Sequence, residues 1–390
     1  MSSKNCPACG SGDVVGVVRI EAMPVHIGSL WASAEEARGC PRGDIDLSHC
    51  RACQLVFNAA FDPEPLEYTH TYDNSLEGSA VFMDFATTLA KSLVERYGLR
   101  EKKVVEIGCG KGKFIELLCQ YGPNRGIGFD TTYDSTAPNP APDRLEFVKA
   151  HYSAEQTGGD VDLVVSRHVL EHIPDPAGFL RMLRESLDDS PNAAVYVEVP
   201  EVMWIVRDLS IWDVIYEHCN YFGHESLSSL FVRCGFDVIR LDNHFGDQFL
   251  SIEARPHHGG GSAAPPIDES LRVARRIEAF AEHFRRLRSE WGDTLAKLSA
   301  GNKRVAIWAA GAKTVSFMNL FDASRRIDSI VDINTRKHGM HLPGTGHVIL
   351  APEALIDRRP DTVIVMNAAY REEIAAHLDG MGLDVEILSA

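Results

Sequence analysis

Short apolar runs alternate with segments of helical period along most of the chain. Residues 78–98, GSAVFMDFATTLAKSLVERYG, carry apolar side chains at helical spacing and stop at Gly98, which predicts a helix ended by glycine. VVEIGCGKG is a β-branched run that opens into glycines, and FIELLCQYG returns to helical spacing. RGIGFD predicts a second strand, DLVVSRHVLEHI a strand running into a helix, and AAVYVEVP another strand. This alternation implies a parallel sheet with crossover helices. Gly, Ser and Pro crowd together in RPHHGGGSAAPPID, a linker in which His257 and His258 read as a solvated pair. A long amphipathic helix follows over 269–298, and the strand–helix rhythm restarts in RVAIWAAGAKT, DSIVDIN and DTVIVMN. The expected organisation is a loop-rich lobe over 1–65, an α/β domain over 66–255, a linker over 256–268, and a long helix with a second, smaller α/β domain over 269–390.

Charge narrows the partners. The 390 residues hold 39 basic and 55 acidic side chains, a net charge of −16, so a broad phosphate-gripping face is not expected. No stretch approaches a membrane span, and the first residues lack a basic start followed by an apolar run. The expectation is a cytoplasmic chain with a small-molecule partner, no nucleic acid and no membrane, either monomeric or dimeric.

Four of the nine cysteines form two Cys-x-x-Cys pairs, Cys6/Cys9 and Cys50/Cys53. In a reducing compartment such pairs read as metal ligands before disulfides, and two pairs complete the tetrahedral sulfur shell of Zn²⁺. A closed structural zinc that folds the lobe is the expectation, over a redox pair or a nucleic-acid finger. His49 and Cys40 are spare ligand candidates.

Glu106-Ile-Gly-Cys-Gly-Lys-Gly112 lies between a strand and a helix. Gly108, Gly110 and Gly112, with Cys109 among them, let the backbone approach a ligand at a helix N-terminus. A dinucleotide turn needs a third glycine where this chain has Lys113, and Glu106 has no use beside a pyrophosphate. Glu106 suits instead the cationic amino group of S-adenosylmethionine, and Asp130, about 20 residues on, suits ribose hydroxyls.

Two histidine segments follow. His168-Val-Leu-Glu171-His172 matches an inverted zinc-protease motif, yet it follows a parallel strand, where it faces the carboxyl edge of the sheet rather than a protease metal. Trp212-Asp-Val-Ile-Tyr216-Glu217-His218-Cys-Asn-Tyr221-Phe packs an acid, an imidazole and phenols together. A neutral histidine is suited to remove a proton near pH 7; the alternative is an aromatic core patch with an incidental histidine. In the second α/β unit AAGAK lacks the spacing of a P-loop, and Lys313 is the candidate there for a phosphate contact.

E-I-G-C-G-K-G, then F-D, then D-L-V-V-S-R-H-V-L-E-H-I together resemble the class I S-adenosylmethionine-dependent methyltransferases over roughly residues 80–200. With the four-cysteine lobe, the I-Y-E-H-x-x-Y-F segment and A-A-G-A-K, nearly the whole chain resembles the sugar C-methyltransferases, which methylate a carbon of a nucleotide-linked 4-keto-deoxysugar in antibiotic pathways. The resemblance implies an α/β fold: a Rossmann-like class I core, a small zinc-binding N-terminal lobe and a smaller α/β C-terminal domain. It also implies S-adenosylmethionine in the core, near His168, and a nucleotide-sugar between the core and the C-terminal domain. The family segment Tyr-x-Glu-His reads Ile215-Tyr216-Glu217-His218 here, so Tyr216 or Tyr221 is the candidate replacement for its phenol. Tyr72 falls where the family has an active-site tyrosine. In this reading His218 takes a proton from the carbon beside a ketone, Glu217 serves the substrate or a different partner, and Tyr72 or His172 steadies the enolate oxygen. N- or O-methyl transfer to another small molecule, and a non-catalytic module that kept the cofactor fold, are the alternatives.

Overall fold

The structure is a computed structural model, and it describes residues 5–66, 80–136, 138–157, 160–207, 211–258, 270–366 and 368–390. The expected linker lies largely outside these residues, and so does Tyr72.

The first 65 residues are less loop-like than their sequence reads. Strands β1 (Val14–Pro24), β2 (Arg42–Cys50) and β3 (Val56–Asn58) form an antiparallel sheet. The alternation that builds it is present but broken: Val18 and Ile20 are buried while Arg19 and Glu21 face out. Register shifts between Gly16 and Val18, and between Ile20 and Met23, interrupt the period-2 pattern, and such bulges hide a strand from periodicity.

The central sheet contains β4 (Lys103–Ile107), β5 (Arg125–Phe129), β6 (Leu145–Val148), β7 (Leu163–Arg167) and β8 (Ala194–Pro200), all parallel in the order β6-β5-β4-β7-β8. Covered on both faces, most of these strands read as nearly unbroken apolar runs. Next, β9 (Asn220–Tyr221) leaves this sheet and pairs with β3, becoming the fourth strand of the lobe. The chain then returns as β10 (Phe236–His244) and β11 (Phe249–Pro256), an antiparallel hairpin that closes the edge beside β8. Strand order reverses between β4 and β7, and at such a switch point the loops at the carboxyl ends open a crevice.

A third sheet is wholly parallel: β12 (Val305–Trp308), β13 (Ser329–Val331), β14 (Ile349–Leu350), β15 (Thr362–Val365) and β16 (Glu386–Ser389), ordered β14-β13-β12-β15-β16. The Ser270–Ala300 helix leads into it and buries Val273, Ile277, Phe280 and Phe284. Those side chains share one apolar core with Ile45 and Leu47 of the lobe, Trp212 and Tyr221, Ile307 of the last sheet and Phe317 of the Ala312–Leu320 helix that follows β12. Backbone bonds reinforce the union, with Trp31 and His341 exchanging amide hydrogens at 3.2 and 2.8 Å and Gly344 N bonding Ala37 O at 2.7 Å. Among the described residues no helix is long and apolar enough to cross a membrane.

Candidate active site

The turn after β4 uses its three glycines in two different ways. Gly108, Gly110 and Gly112 all have positive φ, at +74°, +53° and +80°. A Cβ on Gly108 would stand 2.2 Å from Cγ2 of Val169, and one on Gly112 would stand 2.3 Å from the Phe147 ring, so both are demanded by packing. A Cβ on Gly110 would meet nothing within 4 Å. Its backbone is therefore the part of the turn open to a ligand.

Gly112 caps the Lys113–Tyr121 helix, which buries Phe114, Ile115, Leu117 and Leu118. Oε2 of the buried Glu106 accepts the amide hydrogen of Ile115 at 3.0 Å, bracing the first turn. Asp130, just after β5, accepts from Gly110 N at 2.9 Å and from the amide and hydroxyl of Thr132 at 2.7 Å. Cys109 turns inward instead: its sulfur would stand 2.8 Å from a Cβ on Gly128, and burial, with Glu106 and Asp130 nearby, pushes its thiol pKa upward. It packs the turn and is no nucleophile.

At the end of β7 a line of buried charges begins. The Arg167 guanidinium lies over the Phe114 ring, 4.3 Å from its centroid, and Nη2 reaches Glu198 Oε1 at 2.7 Å. Burial works against the Glu198 carboxylate, yet Arg167 and His168 hold its pKa down to about 2. His168 has φ +55°, a conformation that non-glycine residues rarely adopt. Its Nε2 is 3.2 Å from Glu198 Oε1 and its Nδ1 3.7 Å from Glu171 Oε1. Burial opposes protonation, but the two carboxylates prevail and raise its pKa to about 9.

No α-helix follows β7. A single 3₁₀ turn, Leu170–His172, precedes the Pro176–Ser186 helix, whose start is capped by Asp175. The short turn sends His168 toward Glu198 and His172 toward the Tyr-Glu-His segment, so they do not share a helix face. Nδ1 of His172 bonds the Glu217 carbonyl at 2.9 Å, and since a carbonyl only accepts, that nitrogen carries the proton. The His172 and His218 rings meet edge to face with centroids 4.9 Å apart. Burial, and then His172, lower the His218 pKa to about 3, so its ring is neutral.

The neighbours expected to work with His218 are fasteners. Tyr216 and Glu217 form a turn, and Glu217 faces the lobe, where Oε1 accepts from Ile27 N at 3.0 Å. The Tyr216 hydroxyl donates to Asp62 O and accepts from Asp62 N, both at 3.0 Å, while its ring fills the space a Gly43 Cβ would need. The Tyr221 hydroxyl exchanges hydrogen bonds with the backbone of Ile215, also at 3.0 Å, and its ring lies 6.0 Å from that of His218. Glu217 thus serves a partner in the lobe, and Tyr216 and Tyr221 spend their hydroxyls on backbone groups. Sequence reasoning does not single out Glu171, Glu198 or Arg167, whose charges meet around His168. A lone acid inside the apolar AVYVEVP run was the available signal, because a buried carboxylate requires a buried cation.

In the lobe, Cys6 Sγ is 3.5 Å from Cys53 Sγ and Cys9 Sγ is 3.6 Å from Cys50 Sγ, and all four sulfurs lie within 4.8 Å of one another. A tetrahedron with metal–sulfur bonds of about 2.3 Å has edges near ~3.8 Å, so the four fit one ion. A hydrogen bond from Cys53, against the effect of burial, lowers the Cys6 pKa to about 5, leaving a thiolate. His49 bonds Gln54 at 3.0 Å and Cys40 stands outside the cluster, so neither spare ligand is needed. In the C-terminal unit Lys313 pairs with Asp213 at 3.4 Å. A surface cavity of about 990 Å³ lies at the opposite, amino ends of β4 to β6, lined by Lys102, Arg125, Arg144 and Asp162, and none of the residues above opens into it.

Residues 82–241 match the family described as Methyltransferase domain, and residues 267–383 match C-methyltransferase C-terminal domain. C-methyltransferase NovU of Streptomyces niveus is 28% identical over 95% of this chain and 90% of its own. Ubiquinone biosynthesis O-methyltransferase of Pseudomonas aeruginosa (strain UCBPP-PA14) is 37% identical over 22% of this chain and 40% of its own length. Among solved structures, the Burkholderia thailandensis 1,6-didemethyltoxoflavin-N1-methyltransferase with 1,6-didemethyltoxoflavin and S-adenosylhomocysteine aligns with 19% identity and a TM-score of 0.36, over 53% of this chain and 96% of that one. With a methyltransferase domain around the glycine turn and a relative matched nearly end to end, the chain is an S-adenosylmethionine-dependent methyltransferase that carries the domain pair of the C-methyltransferases.

Proposed function

We propose that this methyltransferase methylates the carbon alpha to a ketone in a nucleotide-linked deoxysugar, or in a closely related natural-product intermediate, with His218 as the base. The observation that carries this reading is the pairing of His218 with His172 at the carboxyl edge of the sheet, the first ring neutral and the second oriented by a backbone carbonyl. A carbon beside a ketone becomes nucleophilic only once its proton is removed, so C-transfer depends on a base most strongly, whereas in O- or N-transfer the base would deprotonate a hydroxyl or amine and the requirement would weaken.

S-adenosylmethionine supplies an electrophilic methyl group on a sulfonium. Asp130 and Glu106 are the groups at the switch point suited to hold it, beside the open face of Gly110 and with His168 behind them. His218 takes the acceptor's α-proton, and the electron pair left behind spreads onto the ketone oxygen. His172 has committed its Nδ1 hydrogen to Glu217 O, so it donates to that oxygen only with a proton on both nitrogens. Tyr72 is the remaining candidate donor. Closing the site against water strengthens each of these contacts.

The sulfur geometry supports a structural Zn²⁺ held by Cys6, Cys9, Cys50 and Cys53, and free thiols of this kind suit a reducing compartment such as the cytoplasm. We divide the chain for function into the lobe, the cofactor domain and the C-terminal domain at the boundaries expected from sequence, with the nucleotide-sugar between the last two.

The test is incubation of the full chain with nucleotide-linked 4-keto-deoxysugars in D₂O. Without donor, deuterium is expected at the α-carbon, and the His218→Gln variant is expected to abolish it while binding S-adenosylhomocysteine normally. With labelled donor the methyl group is expected on that carbon. Methyl transfer to oxygen or nitrogen, or transfer with no α-exchange, would overturn the reading.

A further inference from the structure

Buried polar groups converge beside His172 with their hydrogen-bonding capacity unspent. Both carboxylate oxygens of Glu171 are buried without a hydrogen-bond partner among the described residues, and so is Nδ1 of His218. One carboxylate oxygen of Glu171 and one ring nitrogen each of His172 and His218 lie within 4.8 Å of one another. Leaving such groups unpaired is costly, more so for an ion, so their convergence calls for a use.

The charges around Glu171 are set by several elements. His168 stands 3.7 Å away on its own segment, with Glu198 and Arg167 behind it. His172 and His218 face it from the site, and the Cys219 thiol donates to its carbonyl at 3.3 Å. Burial disfavours the ionised carboxylate, but His168, with His172 and His218, keeps its pKa below the ordinary range. An anion is thus held next to a ring that, in the geometry described, accepts a proton reluctantly.

We propose that Glu171 is the positioning residue for His218, its carboxylate accepting the Nδ1 hydrogen so that the Nε2 lone pair is left to receive the acceptor's proton. The assignment rests on the reading of His218 as the base. When the α-proton moves to Nε2, the bonding pair stays with the acceptor carbon and ketone, His218 becomes an imidazolium, and Glu171 remains ionised beside it. Glu171 forms no bond to carbon and is not a catalytic residue. Hydrogen bonds of this type are commonly long in unliganded enzymes and tighten around the reacting complex. His172 cannot fill the role, because its Nδ1 hydrogen already goes to Glu217 O.

The test is ¹⁵N NMR of the full chain labelled at the histidine rings, with S-adenosylhomocysteine added and no acceptor, using His218→Gln to assign the ring. Wild type is expected to hold the proton of neutral His218 on Nδ1 at pH 8 and to add the second only at acidic pH, below the ordinary histidine range. Glu171→Gln is expected to move that second protonation down by at least one pH unit, a tenfold loss of proton affinity; Glu171→Asp, which keeps the charge, is expected to stay closer to wild type. A neutral His218 with its proton on Nε2, or an unchanged midpoint in folded Glu171→Gln, overturns the proposal. If Glu171→Gln fails to fold, the wild-type tautomer alone decides. No acceptor is present, so a finding of O- or N-transfer leaves this result standing and strikes only the reading of function.

Discussion

Oε1 of Glu217 accepts the amide hydrogen of Ile27 at 3.0 Å, which ties the residue beside the candidate base to the four-cysteine lobe. His26 Nδ1 approaches the same oxygen at 3.7 Å, and both side chains are buried. Glu217→Ala strands a buried amide and is expected to lower stability by about 1–3 kcal/mol. Urea denaturation measures it, with S-adenosylhomocysteine affinity expected within twofold of wild type. Unchanged stability would remove the fastening role.

Two glycines of one turn should respond differently to the same methyl group. Gly110→Ala points its methyl into open space and carries mainly the left-handed backbone penalty, about 1–2 kcal/mol. Its larger expected effect is at least a tenfold loss of S-adenosylhomocysteine affinity by calorimetry. Gly108→Ala drives a methyl against Val169 and is expected to lose stability first, by roughly 1–3 kcal/mol of overpacking beyond the backbone penalty. Equal effects on binding and melting for both variants would contradict the division.

Stability should fall on the alkaline side. The folded state raises the His168 pKa from 6.5 to about 9, so it binds that proton more tightly than the unfolded chain does. The stabilisation is complete below pH 6.5 and disappears as pH rises through about 9. His168→Gln is expected to flatten the melting temperature over this window. Glu201, raised to about 8 chiefly by burial, slopes the same way over a lower range and should persist in the variant. An unaltered profile in His168→Gln would count against an imidazolium held between Glu171 and Glu198.

One zinc per chain is expected by elemental analysis, and Cys50→Ser is expected to lose it. Because Cys50 ends β2 and β3 pairs with β9, amide exchange should quicken at Asn220 and Tyr221 as well as around Cys6 and Cys53. Quickening confined to the cysteine loops would mean the metal does not brace the histidine segment.

The sequence made legible whatever local chemistry enforces. Val104 to Gly112 could hardly be other than a strand, a turn and a helix start, whereas the bond from Gly110 N to Asp130 is seen only in the structure. The paired cysteines announced their own convergence. Long-range direction was hidden. Glu217 and His218 are adjacent in sequence but face different parts of the molecule, and Glu171 meets His218 only because β9 departs to another sheet. The lobe strands were missed because bulges break their alternation, and the supposed helix after Arg167 failed because His168 takes a left-handed conformation.

The short pairing of Val56–Phe57 with Asn220–Tyr221 has a consequence for inheritance as much as for folding. A lobe completed by residues from mid-chain cannot be trimmed away or swapped between relatives as a cassette of its first 65 positions. Any viable exchange has to carry its matching Tyr-Glu-His partner along, so the two stretches should change together as the enzyme diverges.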